Sequence, residues 1–262
     1  MKRRIIFDPF KGQPINPMDS QMNQKKIDIM AFGAHPDDVE LGCGATLYKL
    51  AKQGYTTGIV DLTEGELGSR GAVEERYKES AKSAKILKIS LRENLRIPDG
   101  NIELTKENQH KVIEIIRRTT PTIVFAPYPN DRHPDHIYSG KLVTEAAFYS
   151  GLPKIVSNFP KHRPHRIVYY ATTYEFEPTF IVDVSAQFEI KLKALQAYRS
   201  QFYNPSWPGE DTFVSSQWFM EAVEFKARHY GWKAGVKYGE PFLIRELLAL
   251  DDIVPILKKS IM

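Results

Sequence analysis

The sequence predicts an α/β protein: a doubly wound, mainly parallel sheet with helices on both faces. Three observations point there. From Lys26 onward, short apolar runs alternate with longer amphipathic ones, as expected of strand–helix units. Residues suited to N-capping stand just before several amphipathic runs: Thr105, Ser185 and Ser215. Finally, Ala34-His35-Pro36-Asp37-Asp38 and His133-Pro134-Asp135-His136 share one pattern, and each follows an apolar run. Open α/β sheets build their sites at such carboxyl ends of strands.

In chain order, the expected strands are Ile27–Phe32, Thr57–Leu62, Asn94–Ile97, Thr122–Ala126, Ile167–Ala171 and Phe180–Val184. Each is a short run of β-branched, aromatic or other apolar residues, the composition that favours strands. The expected helices are Gly42–Gln53, Val73–Leu87, Lys106–Arg118, Asp135–Tyr149, Ala186–Arg199 and Ser216–Tyr230, each long enough for several turns. Two decorated loops, Thr63–Gly71 and Tyr203–Ser215, read as lids or substrate contacts. Residues 1–26 hold Pro9, Gly12, Pro14 and Pro17 with little periodicity, so a flexible tail is expected, with Met22 a candidate start. Its apolar patch Ile5-Ile6-Phe7 is too short for a signal-peptide core. Residues 27–262 are expected to form a single domain.

Composition narrows the function. A 262-residue chain with 42% hydrophobic and 11% aromatic residues can bury a large core and belongs to the ordered class. Its 36 basic residues are scattered and the net charge is only +4. No basic stripe with interleaved aromatics exists to bind nucleic acid. No apolar run approaches the roughly 20 residues that span a bilayer. Cys43 is the only cysteine, which excludes an intrachain disulfide and suits a reducing cytoplasm.

Catalytic zinc takes about three protein ligands and leaves one position open. His35 and Asp38, three apart across a strand-to-helix turn, can converge on one ion, and His136 can complete the set from a neighbouring strand end. Asp37 then stands beside the metal as a general base toward a water of lowered pKa. His133 falls at the rim of the same pocket, where an imidazolium can stabilise an oxyanion or protonate a leaving amine. Asp135 is a candidate to orient one imidazole from behind. Singly, these residues are ordinary loop histidines and helix caps; two such runs after two strands are hard to explain that way. A rival pattern, Gly42-Cys43-Gly44-Ala45-Thr46-Leu47 with Asp61 about twenty residues on, mimics a dinucleotide fingerprint. Its glycines come late after the strand and Leu47 replaces the third small residue, so close helix packing is the favoured reading. Cys43 reads as a small buried residue.

At Ala34-His35-Pro36-Asp37-Asp38-Val39-Glu40 and His133-Pro134-Asp135-His136 the chain resembles the PIG-L/LmbE-like zinc N-acetylglucosamine deacetylases. Within them it is most similar to the bacillithiol-biosynthesis branch. The matching stretches include Asp61–Gly71, Arg92–Leu95, Pro98–Gly100, Asp131–His133, Ala197–Phe202 and Gly239–Phe242. The resemblance implies a Rossmann-like fold and deacetylation of N-acetylglucosaminyl-malate. It places one Zn2+ on His35, Asp38 and His136, the base role on Asp37 and the oxyanion or acid role on His133. It also implies sugar-hydroxyl contacts at Arg70 and Asp99, and homo-oligomers, including hexamers. Some relatives carry a tyrosine two residues before the first histidine of the second motif; here Asp131 stands there.

Arg132 has two readings, a partner for malate carboxylates or a surface arginine paired with Asp131. Tyr198 and Arg199 read as packing or subunit contacts, and Trp207 as a pocket cover or loop anchor. The alternatives to the malate conjugate are another N-acetylglucosamine conjugate, a chitooligosaccharide, or a non-catalytic nucleotide or sugar binder.

Overall fold

The computed structural model describes residues 25–258, so the expected tail falls outside the described residues except at Lys25 and Lys26. Its strands are β1 (Ile29–Gly33), β2 (Thr57–Asp61), β3 (Leu91–Asn94), β4 (Ile123–Pro127), β5 (Arg166–Tyr170), β6 (Phe180–Asp183) and β7 (Gly239–Leu243). The helices are α1 (Asp38–Lys52), α2 (Val73–Ile86), α3 (Lys106–Thr119), α4 (Pro134–Ser150), α5 (Phe188–Leu195), α6 (Gln217–Lys233) and α7 (Val254–Leu257). No helix is long and apolar enough to cross a membrane, among the described residues.

All seven strands join one sheet in the order β3-β2-β1-β4-β5-β7-β6. Strands β1 to β5 pair in parallel, and β7 runs antiparallel between β5 and β6. The chain winds outward from β1 to β3, then returns to β4 on the other side of β1. That reversal opens a crevice at the carboxyl ends of β1 and β4. Ile29 of β1 aligns with Thr57 on one side and Ile123 on the other.

Strand β1 is buried throughout, as expected of a parallel strand covered on both faces. Its side chains alternate between two cores. Met30 and Phe32 pack with Val112 and Ile116 of α3 and Leu142 and Val143 of α4. Ile29 and Ala31 pack with Val39, Cys43 and Leu47 of α1. The doubly wound architecture is therefore as the alternation predicted.

Helix α1 begins at Asp38, ahead of the expected Gly42, and breaks at Cys43 (φ −146°, ψ 18°). Past the break, the amides of Ala45 and Thr46 donate to the Glu240 carboxylate of β7 at 3.2 and 2.7 Å. A carboxylate at freed helix amides is favourable, and Lys191 balances its charge at 2.7 Å. Gly42 serves close packing, since a Cβ there would lie 2.0 Å from the Tyr170 ring, while Gly44 has only ordinary contacts. Cys43 is fully buried, and burial pushes its thiol pKa well up.

Four expectations need correction. Strand β3 lies earlier than Asn94–Ile97, because Leu91 pairs with Gly58 and the chain turns out at Asn94, whose Oδ1 accepts from Arg96 N. Its charged pattern hid it: Arg92 and Glu93 are satisfied laterally by Asp61 and Arg118. Strand β7 was not foreseen because Pro241 argues against a strand; the β5 ladder spans only Phe242 and Leu243, beyond the proline. Helix α5 ends at Leu195, short of Arg199. Of the three expected caps, Thr105 accepts from Asn108 N, but Ser216 rather than Ser215 caps α6, and Ser185 bonds Asp183 instead.

Gly42→Ala is expected to destabilise the fold by about 1–3 kcal/mol, the usual cost of overpacking, because Tyr170 cannot retreat while its hydroxyl donates to Phe32 O at 2.7 Å. A lower urea midpoint at unchanged slope would register it, and an unchanged midpoint would refute it.

Candidate metal centre and cavity

The first motif follows β1 directly. Asp37 has φ 126°, a strained conformation for a non-glycine residue. Arg76 of α2 braces it, donating from Nη2 to Pro36 O at 2.9 Å and to Asp37 Oδ2 at 3.4 Å. Asp38 opens α1 and accepts His35 N–H at 2.8 Å. The second motif opens α4: Pro134 takes the first helical position, where its missing N–H costs nothing. The His133 ring caps the helix, its Nδ1 accepting from Asp135 N at 3.2 Å. His136 sits within the first turn and faces back toward β1.

The two motifs meet at Asp38. Its Oδ1 lies 3.1 Å from His136 Nε2 and its Oδ2 lies 3.4 Å from His35 Nδ1. One donor atom from each of His35, Asp38 and His136 falls within 4.8 Å of the others. His35, His133 and Asp135 meet the same criterion, but His133 is exposed and its Nδ1 already caps α4. The first trio is the better donor set.

The outward nitrogen of each imidazole is also held. His35 Nε2 lies 2.9 Å from Asp99 Oδ1 and 3.3 Å from Asp135 Oδ2. His136 Nδ1 lies 2.9 Å from Asp131 Oδ1. Asp131 is fixed in turn, because its Oδ2 accepts from Thr172 Oγ1, Thr173 N and Tyr174 N at 2.8, 2.8 and 3.0 Å. Carboxylates in this position orient metal-binding imidazoles and raise their basicity. Asp135 thus sits behind His35, and the carboxylate behind His136 is Asp131, which the sequence reading did not assign. Its signal was the spacing, five residues before His136.

Electrostatics fit a cation. Burial opposes charge on His35, yet Asp135, Asp38 and Asp99 raise its pKa well above the ordinary value. Burial likewise opposes charge on His136, but Asp38 and Asp131 lift it to about 9. Asp38 is held well below the carboxylate range by His136 and His35 despite its burial. Two imidazoles and a carboxylate are a zinc-type donor set. A dication there balances the surrounding carboxylates and leaves both rings neutral. Asp37 differs: burial pushes its carboxyl up to about 7 against the pull of Arg76. For His133, partial burial and the His35 and His136 charges pull the pKa down. The imidazolium expected from sequence is disfavoured; with Nδ1 accepting, a neutral ring carries its proton on Nε2.

These groups line one end of a cavity of about 500 Å³. Asp99 and Arg132 lie in its wall. The Arg132 guanidinium sits 4.6 Å over the Phe213 ring, whereas Asp131 is engaged with His136, His133 N and the Thr172–Tyr174 segment. Arg70 is buried beside the cavity, near Trp207 and 3.4 Å from Asp211, with Nε and Nη2 unpartnered. Tyr198 is a packing residue, donating to Glu40 Oε1 at 2.7 Å; Arg199 is exposed.

Residues 30–147 match the family model described as PIG-L, GlcNAc-PI de-N-acetylase. The chain is 28% identical to the diacetylchitobiose deacetylase of Thermococcus kodakarensis, over 89% of this chain and 90% of that one. It is 32% identical to the uncharacterized deacetylase YaiS of Escherichia coli, over 69% of this chain and 95% of that one. It is 28% identical to a probable N-acetyl-α-D-glucosaminyl L-malate deacetylase 2 of Bacillus cereus, over 66% and 83%. The crystal structure of the conserved protein TT1542 from Thermus thermophilus superposes with TM-score 0.78 at 38% identity, covering 86% of this chain and 98% of that one.

Asp131→Asn should weaken divalent-cation affinity by about 10–100-fold, the usual effect of losing such a supporting carboxylate. Competition against a chromogenic chelator measures it; equal affinity in the variant would remove Asp131 from the site.

Proposed function

Because the chain belongs to the PIG-L family of de-N-acetylases, we propose that it is a metal-dependent hydrolase that removes the acetyl group from an N-acetylglucosaminyl substrate. One observation carries this reading: His35, Asp38 and His136 converge beside the Asp37 carboxylate, which stands outside the donor set, at the end of a cavity. His35, Asp38 and His136 would hold a divalent cation, with zinc the proposed ion. That cation supplies a water of lowered pKa and polarises the acetamide carbonyl.

The chain's own groups do the rest. Asp37 Oδ takes the proton of the attacking water, its raised pKa suiting a general base near neutrality. His133, neutral with its proton on Nε2, donates toward the developing oxyanion. The amine leaves after gaining the proton held by Asp37. Asp131, Asp99 and Asp135 keep the two ligand rings turned to Asp38. Asp99, Arg70 and Arg132 are proposed substrate contacts.

The finer reading, N-acetylglucosaminyl-malate in bacillithiol biosynthesis, is supported by the motif stretches and the Bacillus cereus relative. A chitooligosaccharide is the second reading, supported by likeness to the Thermococcus enzyme over nearly the whole chain. A cytoplasmic setting and a homo-oligomer complete the proposal. The latter is supported by Phe225 and Trp232, both exposed and seven residues apart on α6.

Acetate release from N-acetylglucosaminyl-malate and from diacetylchitobiose, each with zinc, with chelator and with zinc restored, tests the reading. Metal-dependent release from one substrate is expected, and none from either would overturn it. Asp37→Asn should retain metal yet lose about 10²-fold or more in turnover, and near-normal turnover would unseat the base. His136→Ala should lose metal, and undiminished zinc by elemental analysis would contradict the ligand set.

A further inference from the structure

The cavity extends beyond the His–Asp cluster into a chamber lined by residues of α1 and α6 and of the ends of β5 and β7. Its wall is apolar: Leu41, Phe202, Phe213, Trp218, Phe219 and Val223. Two lysines line it, and they differ. Lys191 Nζ is satisfied by Glu240 Oε1 and Leu41 O, both at 2.7 Å. Lys226 Nζ donates only to Thr172 O, at 2.9 Å, and among the described residues no carboxylate lies within ion-pair distance of it. An ammonium has three protons to donate, so two are left for a ligand.

We propose, resting on the deacetylase reading above, that this chamber is an aglycone subsite for N-acetylglucosaminyl conjugates whose aglycone joins an apolar body to a carboxylate, and that Lys226 pairs with that carboxylate. The apolar wall favours the body by burial. A carboxylate at Nζ supplies the charge-assisted bonds that the chain does not. Burial and the nearby Lys191 charge lower the Lys226 pKa to about 8, against the weaker opposing pull of Glu175 and Asp131. The subsite adjoins the reacting end through Thr172, whose hydroxyl lies 3.0 Å from His136 Nδ1. It also explains an exposed indole at the mouth: Trp218 belongs to the cavity wall and stacks edge-on with Phe213 at 5.5 Å. Lys226 acts here as a specificity-determining residue and takes no part in bond breaking.

Two conjugates that differ only in charge test this: phenyl and 4-carboxyphenyl N-acetyl-β-D-glucosaminide. The zinc-loaded protein should favour the acidic conjugate by about tenfold in kcat/KM, the scale of one partly buried ion pair. Lys226→Met should shrink that preference to within about twofold, through a higher KM for the acidic conjugate with kcat held. Equal use of both conjugates by the unaltered protein would overturn the subsite, as would a preference that survives Lys226→Met. A loss that falls equally on both conjugates would also overturn it, leaving Lys226 as a clamp on Thr172. Should neither conjugate be hydrolysed, the deacetylase reading is judged by acetate release from N-acetylglucosaminyl-malate and diacetylchitobiose, and calorimetric binding of the two aryl conjugates still decides the subsite. Tighter binding of the acidic one, abolished by Lys226→Met, supports it, and indifference ends it.

Discussion

The site depends on the Asp38 carboxylate, which reaches His136 with one oxygen and His35 with the other. Those two imidazoles come from segments that follow different strands, and the order of the sheet alone makes β1 and β4 neighbours. Each ring is then held at its far nitrogen by a further carboxylate. A chain of this kind, carboxylate to imidazole to carboxylate, is rigid because every member has a partner on both sides. It also concentrates negative charge in a buried place, and that charge is tolerable only with protons or a cation between the oxygens.

Among the described residues, two further groups of buried charges are paired within the chain. Arg92 makes a two-pronged contact with Asp61 at 2.9 Å for both bonds and reaches Glu40 at 2.6 Å. Ser83 and Tyr198 donate to the same Glu40 oxygen at 2.7 Å. This network ties α1, α2, β2 and β3 together directly behind the first motif, and Glu240 with Lys191 does the same at the break in α1. Paired and hydrogen-bonded ions of this type add modestly to stability but are costly to break singly, so they hold positions. Against that background Lys226 stands out, because it lines the cavity and spends only one of its protons on the chain.

The chemistry divides between the two motifs by environment. Asp37 and Asp38 are adjacent in sequence, yet burial raises one while two imidazoles depress the other. Asp37, with its positive φ, meets Arg76, whereas Asp38 meets the two imidazoles. Two neighbouring carboxylates thereby become a candidate base and a candidate ligand.

Much of this was legible in the sequence. The strand–helix alternation sufficed for the doubly wound sheet, and the spacing of His35, Asp38 and His136 sufficed to nominate the donor set that the fold brings together. Local pattern failed where neighbours overrode it. Strand β3 carries Arg92 and Glu93, whose charges are cancelled only by Asp61 and Arg118 on adjoining elements. Strand β7 contains Pro241, which is tolerated because the β5 ladder does not extend to it. Lys226 gave no periodic or motif signal, because its role lies in what it faces in the cavity. Residue type and spacing determined which groups can bind a cation, since those depend on covalent chemistry and a few bonds of chain. Which carboxylate stands behind each imidazole, and which cation lacks a partner, was decided only by the tertiary structure, since such pairings join residues far apart in the chain.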